Sequence, residues 1–155
     1  MFVFYFYSEF IILIYLSVVK RGEFLTPYFM ANFNKYNYFQ SSEIYAQNNK
    51  DELIDILSND SISYNMSRLL WILDAIRLVS FDIPIYITSF YRNKPHNIKV
   101  GGVANSYHML GAAVDVTCSD IPALISQLKV FQDSIKYIHY PDKNFIHIQL
   151  KEPKK

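Results

Sequence analysis

The chain predicts an α+β domain, a small mainly antiparallel sheet with helices packed on one face, and three observations carry that prediction. Between residues 48 and 79 apolar residues recur at helical spacing. Two later runs, "PIYITSFY" and "AAVDVT", are short, apolar and rich in β-branched or aromatic residues, as strands are. Near the C-terminus "IKYIHY" and "FIHIQL" alternate about the turn "PDKN", which reads as a hairpin.

Taken in order, "NKDELIDILSND" is a short helix with Asn48 or Asn49 as cap and Leu53, Ile54 and Leu57 on one face. "YNMSRLLWILDAIRLV" is the strongest helix. Its apolar residues at 66, 69, 70, 73, 76 and 79 form a stripe that reads as core, and Asn65 is its candidate N-cap. A strand begins after Pro84, and Gly101-Gly102 marks a loop. His108 stands at the mouth of that loop, ahead of a second strand from Ala113 to Thr117. "DIPALISQLKVFQ" is a helix capped by Asp120, with Pro122 in its first turn. In the hairpin, a four-residue loop from Pro141 to Asn144 pairs Tyr140 with Phe145 and Ile138 with His147, which turns His139 away from His147. A slip of one residue reverses this and brings His139 opposite His147.

With 155 residues, 51% of them apolar, the chain has enough material for one domain with a real core. A net charge of +1 offers no electrostatic footprint for nucleic acid, so no such partner is expected. Cys118 is the single cysteine, which excludes an internal disulfide, and it reads as a small buried hydrophobe. No repeat is present, and a monomer is expected. The domain is expected to occupy residues 31–155, leaving residues 1–30 as an apolar extension or a membrane segment. Residues 2–19 are apolar but for Glu9 and two serines. A helix of that length spans roughly 27 Å, slightly less than the ~30 Å hydrocarbon core, so a membrane association through this run competes with a mere extension and with a packed element. It makes a poor signal peptide, and Lys20 and Arg21 would hold the rest of the chain on the cytoplasmic side if it inserted.

The chemistry concentrates in His108, Asp115 and His147. An ionised carboxylate inside an apolar strand costs several kcal/mol unless it is paired or bound to a cation, and Asp115 lies in such a strand. His147 lies in another, and a catalytic zinc takes three protein ligands of the histidine and carboxylate kind with a further position left to water. From spacing alone, a backbone group or an arginine could satisfy the same residues, and both readings stand.

The stretch "SFYRNKPHNIKVGGVANSYHMLGAAVDV" resembles the signature S-G-Y-R-S-x-x-x-N-x-x-V-G-G-x-x-N-S-x-H-x-x-G-x-A-x-D of the D-alanyl-D-alanine carboxypeptidase-like zinc peptidases. It matches at Ser89, Tyr91, Arg92, Asn97, Val100, Gly101, Gly102, Asn105, Ser106, His108, Gly111, Ala113 and Asp115. "FIHIQL" is similar to the family's closing strand, with His147 at its ligand position, and the likeness covers roughly residues 36 to 150. The resemblance implies the fold shared with the hedgehog signalling domain and a zinc ion (Zn2+) on His108, Asp115 and His147. It also implies hydrolysis of D-alanine-containing peptidoglycan stem or cross-link peptides, with periplasm or cell wall as the place of action. By the same resemblance Arg92 would hold a substrate carboxylate or the developing oxyanion, and Ser106 would steady the loop carrying His108. The family's carboxylate base falls near Tyr140, and a phenol is a poor base at neutral pH. His139 and Asp142 are the nearby candidates for that base. A module that binds peptidoglycan or a protein partner without turnover is the alternative.

Overall fold

In the computed structural model the described residues are Phe39, Ile44, 50–79 and 84–155. The N-terminal run that raised the membrane question, and the candidate caps Asn48 and Asn49, lie outside them. The chain divides into units at Met1–Asn37 and Tyr38–Lys155, and the second carries every element described below. No helix among the described residues is long and apolar enough to cross a membrane.

Helix α1 spans Lys50–Ser58 and α2 Asp60–Val79. Asn59, between them, caps α2: its side-chain oxygen accepts from the backbone N–H of Ser61 at 3.0 Å and of Ile62 at 3.2 Å. Asn65 is therefore not the cap. It sits inside α2, fully buried, where its amide donates to the carbonyls of Leu110 and Lys154 and accepts from the Lys154 N–H. The α2 stripe packs as expected at Met66, Leu69, Leu70, Leu73 and Ile76, all buried, while the side chain at its last position, 79, lies outside the description. At roughly 1.5–3 kcal/mol for each large apolar side chain, that stripe is the main anchor of the helix.

The inward face of α1 differs from the expected one. Leu53, Ile54 and Leu57 are exposed, while Glu52 and Ile56 are buried. The reason is a tertiary one: Glu52 accepts from the Asn93 backbone N–H at 2.9 Å and meets His96 Nδ1 at 2.8 Å, and those partners set the rotation of the helix.

Strand β1 covers Ile85–Ser89, β2 Ala113–Cys118, β3 Ile135–Tyr140 and β4 Phe145–Leu150. They form an antiparallel sheet in the order β1-β2-β4-β3. Pairing follows the alternation. Ile87, Val116 and Ile146 face the core with Val114 and Ile148, while Asp115 and His147 pair on the opposite face. The core face is covered by α2 and by α4, Ile121–Leu128, which Asp120 caps through the Ala123 N–H as expected. The fold is thus α+β, with the sheet's other face left to carry the site. Helix α3, Lys94–Lys99, was not foreshadowed by periodicity; at six residues it is defined by Asn93, which caps it, and by Pro95 in its first turn.

One half-buried acid, its Oδ1 enclosed, weakens this core. Asp74, on α2, has an Oδ1 without a hydrogen-bond partner among the described residues, and burial pushes its carboxyl from 3.8 up to about 7, against the opposing pull of Arg77. The folded value exceeds the unfolded one, so the neutral acid is the form the fold prefers. Stability is fully present below the unfolded value and is lost as pH rises through about 7. Asp74→Asn is expected to add about 1–2 kcal/mol at pH 8, discounted for partial exposure, and little at about pH 3.5, below the unfolded value. Thermal unfolding at the two pH values checks this, with a gain of several degrees confined to the higher pH.

Candidate metal centre

His108 comes from a short 3-10 turn, Tyr107–Leu110, that enters β2; Asp115 comes from β2 and His147 from β4. Ser106 caps the turn, its hydroxyl accepting from the His108 N–H at 3.3 Å. Gly111 closes it at φ 63, where a Cβ would stand 2.8 Å from the Ile62 carbonyl oxygen, so only glycine fits. The β2–β4 register sets Asp115 directly opposite His147. One donor atom from each of the three residues lies within 4.8 Å of the others, a grouping that could hold a metal ion.

The hydrogen bonds around this cluster orient it for a cation. His108 Nδ1 donates to the Phe90 carbonyl at 2.5 Å, which leaves the Nε2 lone pair facing Asp115 Oδ1 at 3.3 Å. His147 Nε2 lies 3.3 Å from Gln149 Oε1, an acceptor for its N–H, and so Nδ1 faces Asp115 Oδ1 at 2.7 Å. In those tautomers, assigned from the partners, two nitrogen lone pairs converge on one carboxylate oxygen. Arg92 Nη2, 3.3 Å from His108 Nε2, brings positive charge to one side of this grouping, a divalent ion would bring it to both nitrogens, and a ring nitrogen held by a carbonyl is how proteins aim histidines at a metal. The donor set therefore fits a divalent ion with two imidazoles and a carboxylate as ligands.

Asp115 is the electrostatic hub. Burial raises its carboxyl, but positive charge on the facing nitrogens of His108 and His147, which protons supply in the metal-free site and a bound cation would supply in their place, holds it well below the usual carboxylate range. Arg92, in the loop after β1, adds Nη2 at 2.7 Å from Asp115 Oδ2. The guanidinium is steadied by Nε donating to Ser89 Oγ at 2.8 Å, and the Arg92 backbone N–H donates to the His108 carbonyl at 3.3 Å. Beside it, Tyr91 donates to Asp55 Oδ2 at 3.0 Å; burial and that bond push its phenol above the ordinary range.

These side chains open on a cleft of about 1040 Å³, with Ser89–Arg92, the Val100–Val103 loop and the β3–β4 hairpin in its walls. The loop depends on a close approach. A Cβ on Gly102 would stand 2.1 Å from Asn97 Oδ1, the buried amide beneath it. Gly102→Ala is expected to cost about 1–3 kcal/mol as the loop shifts, read as a lowered thermal midpoint.

The structure separates the two candidates for the base from this cluster. The hairpin takes the four-residue loop, with Tyr140 against Phe145 and Ile138 against His147. His139 then pairs with Ile146, on the face away from His147. Asp142 stands exposed in the Pro141–Lys143 turn and is not among the residues of the cleft. His96, by contrast, lines the cleft, although nothing in its own segment marked it; its partner Glu52 lies far away in sequence. The Phe90 carbonyl and Gln149 are likewise partners that sequence reasoning missed. Alternation along β4 could have placed Gln149 beside His147, whereas nothing could have pointed to a backbone carbonyl.

A His-Asp-His cluster on an open sheet face, beside an arginine and a cleft, is the kind of side-chain set that metal-dependent hydrolases use. The family model described as Peptidase M15 matches residues 37–149, and the chain belongs to that family of peptidases. A comparison with curated proteins finds no match.

Proposed function

We propose that the protein is a zinc-dependent peptidase that hydrolyses D-alanine-containing peptidoglycan stem or cross-link peptides. The observation that carries this reading is the convergence of His108, Asp115 and His147 on one point of the cleft, each histidine held by a partner on its other ring nitrogen. Zinc bound there would polarise a carbonyl and lower the pKa of a bound water. The chain's own residues do the rest. Asp115 and the two histidines hold the site, Arg92 presents a guanidinium whose Nη1 has no partner among the described residues, and the exposed apolar side chains of Val103 and Ile138 in the cleft wall suit a small methyl side chain.

A second reading, a zinc-bearing module that binds peptidoglycan or a protein partner with little turnover, is favoured by one fact. Among the described residues lining the cleft, Asp115 is the sole carboxylate, and it belongs to the cluster. Loss of a general base typically costs 10²- to 10⁴-fold. The test is metal analysis of the purified protein followed by product analysis on muropeptides with and without a chelator. About one equivalent of zinc and chelator-sensitive release of D-alanine or a split cross-link support the peptidase. Zinc without turnover supports the module, and a protein that binds no zinc sinks both.

A further inference from the structure

We propose that His96, oriented by the buried carboxylate of Glu52, is the proton carrier of the cleft; this rests on the peptidase reading above. Helix α3 places His96 in the cleft wall, its side chain 30% exposed, with Nδ1 2.8 Å from Glu52 Oε1. Glu52 is 1% exposed, and the same oxygen accepts the Asn93 N–H at 2.9 Å, which immobilises it. A carboxylate only accepts, so Nδ1 carries the proton in this pair and Nε2 is the basic atom of the neutral ring. Among the described residues Nε2 has no partner.

The other groups in the wall serve less well. Tyr107, Tyr140 and Lys143 line the same cleft, but among the described residues the structure shows for none of them a buried carboxylate that orients it. Tyr91 is committed to Asp55, and Asp115 to the cluster. Among the described residues of the cleft wall, His96 is the imidazole that lies outside the cluster. A histidine aimed by a buried carboxylate is the arrangement that moves protons in hydrolases of unrelated folds.

As the water oxygen bonds to the scissile carbonyl carbon, one water proton passes to His96 Nε2, and ionised Glu52 offsets the imidazolium. The C–N bond then breaks with its electron pair on nitrogen. Nε2–H is given to that nitrogen, which leaves a neutral imidazole, a free amine and a carboxylic acid, one water having been added.

The experiment compares full-length, zinc-loaded wild type with His96→Gln on a muropeptide amide and on a 4-nitrophenyl ester of the same acyl group, whose leaving group needs no proton. The expected result is a kcat on the amide lower by roughly 10²- to 10⁴-fold, KM within about threefold and a loss on the ester at least tenfold smaller. Zinc content is unchanged. Independently of turnover, nitrogen-15 NMR of the metal-free protein is expected to find the Nδ1–H tautomer at His96 and to lose that preference in Glu52→Gln. Equal losses on amide and ester, a loss that follows zinc content, or the Nε2–H tautomer in the wild type overturns the proposal. If wild type is active and His96→Gln matches it, this proposal alone falls; if zinc-loaded wild type cleaves no muropeptide, both readings fall.

Discussion

Asp115→Asn is expected to remove metal binding and hydrolysis together. The carboxylate is the meeting point of the site, with Arg92 Nη2 and His147 Nδ1 at 2.7 Å and His108 Nε2 at 3.3 Å. Asparagine keeps the shape and loses the charge, and its two ends cannot both be right. With the amide NH₂ toward Arg92, two donors collide; with it toward the histidines, the atom that should ligate has become a donor. Replacing groups that merely orient a ligand costs 10- to 100-fold in metal affinity or activity, and a ligand itself costs more. The expected loss is roughly a thousandfold or greater in kcat/KM, with little zinc retained after dialysis and circular dichroism unchanged. Full zinc occupancy with more than about a tenth of the activity would contradict the assignment.

How much of this was legible in the sequence depends on the range of the interactions. Strand β1 begins where Pro84 and the alternation place it, and the hairpin register follows from a loop of four residues, because local chemistry sets both. The burden of Asp115 was legible too, since an acid in an apolar strand demands a partner wherever the strand goes. The burial of α1 was not. Its polar Glu52 turned inward to reach Asn93 and His96, more than forty residues on, while the leucines that looked like core stayed outside. Asn65 misled for the same reason: a good capping residue by type, it serves contacts near residues 110 and 154, and the cap falls to Asn59. His96 belongs to this set as well. A histidine on a six-residue helix has no signal of its own until the fold brings the carboxylate to it. Patterns of period 2 and 3.6 report which face is apolar, and they are silent on polar groups satisfied across the fold.

Arg92→Lys is expected to lower kcat/KM by roughly 10²- to 10³-fold, the usual cost of losing a preorganised donor to a developing negative charge, while zinc content stays near that of wild type. The guanidinium does three things at once. Nε is fixed on Ser89 Oγ at 2.8 Å, Nη2 on Asp115 Oδ2 at 2.7 Å, and Nη1 is left without a partner among the described residues. A lysine ammonium can keep the Asp115 contact, which is why the carboxylate and the metal should survive, but it has no rigid fork with which to hold Ser89 and face a substrate as well. Ser89→Ala separates orientation from charge: the guanidinium remains, its Nε anchor goes, and a loss within about tenfold is expected. The kinetic split assigns the role. If Arg92 holds a substrate carboxylate in the ground state, the loss appears in KM; if it meets charge that develops during attack, it appears in kcat. A lysine variant with more than half the wild-type activity would reduce Arg92 to a counter-ion for Asp115, and substrate orientation would then have to come from elsewhere in the cleft.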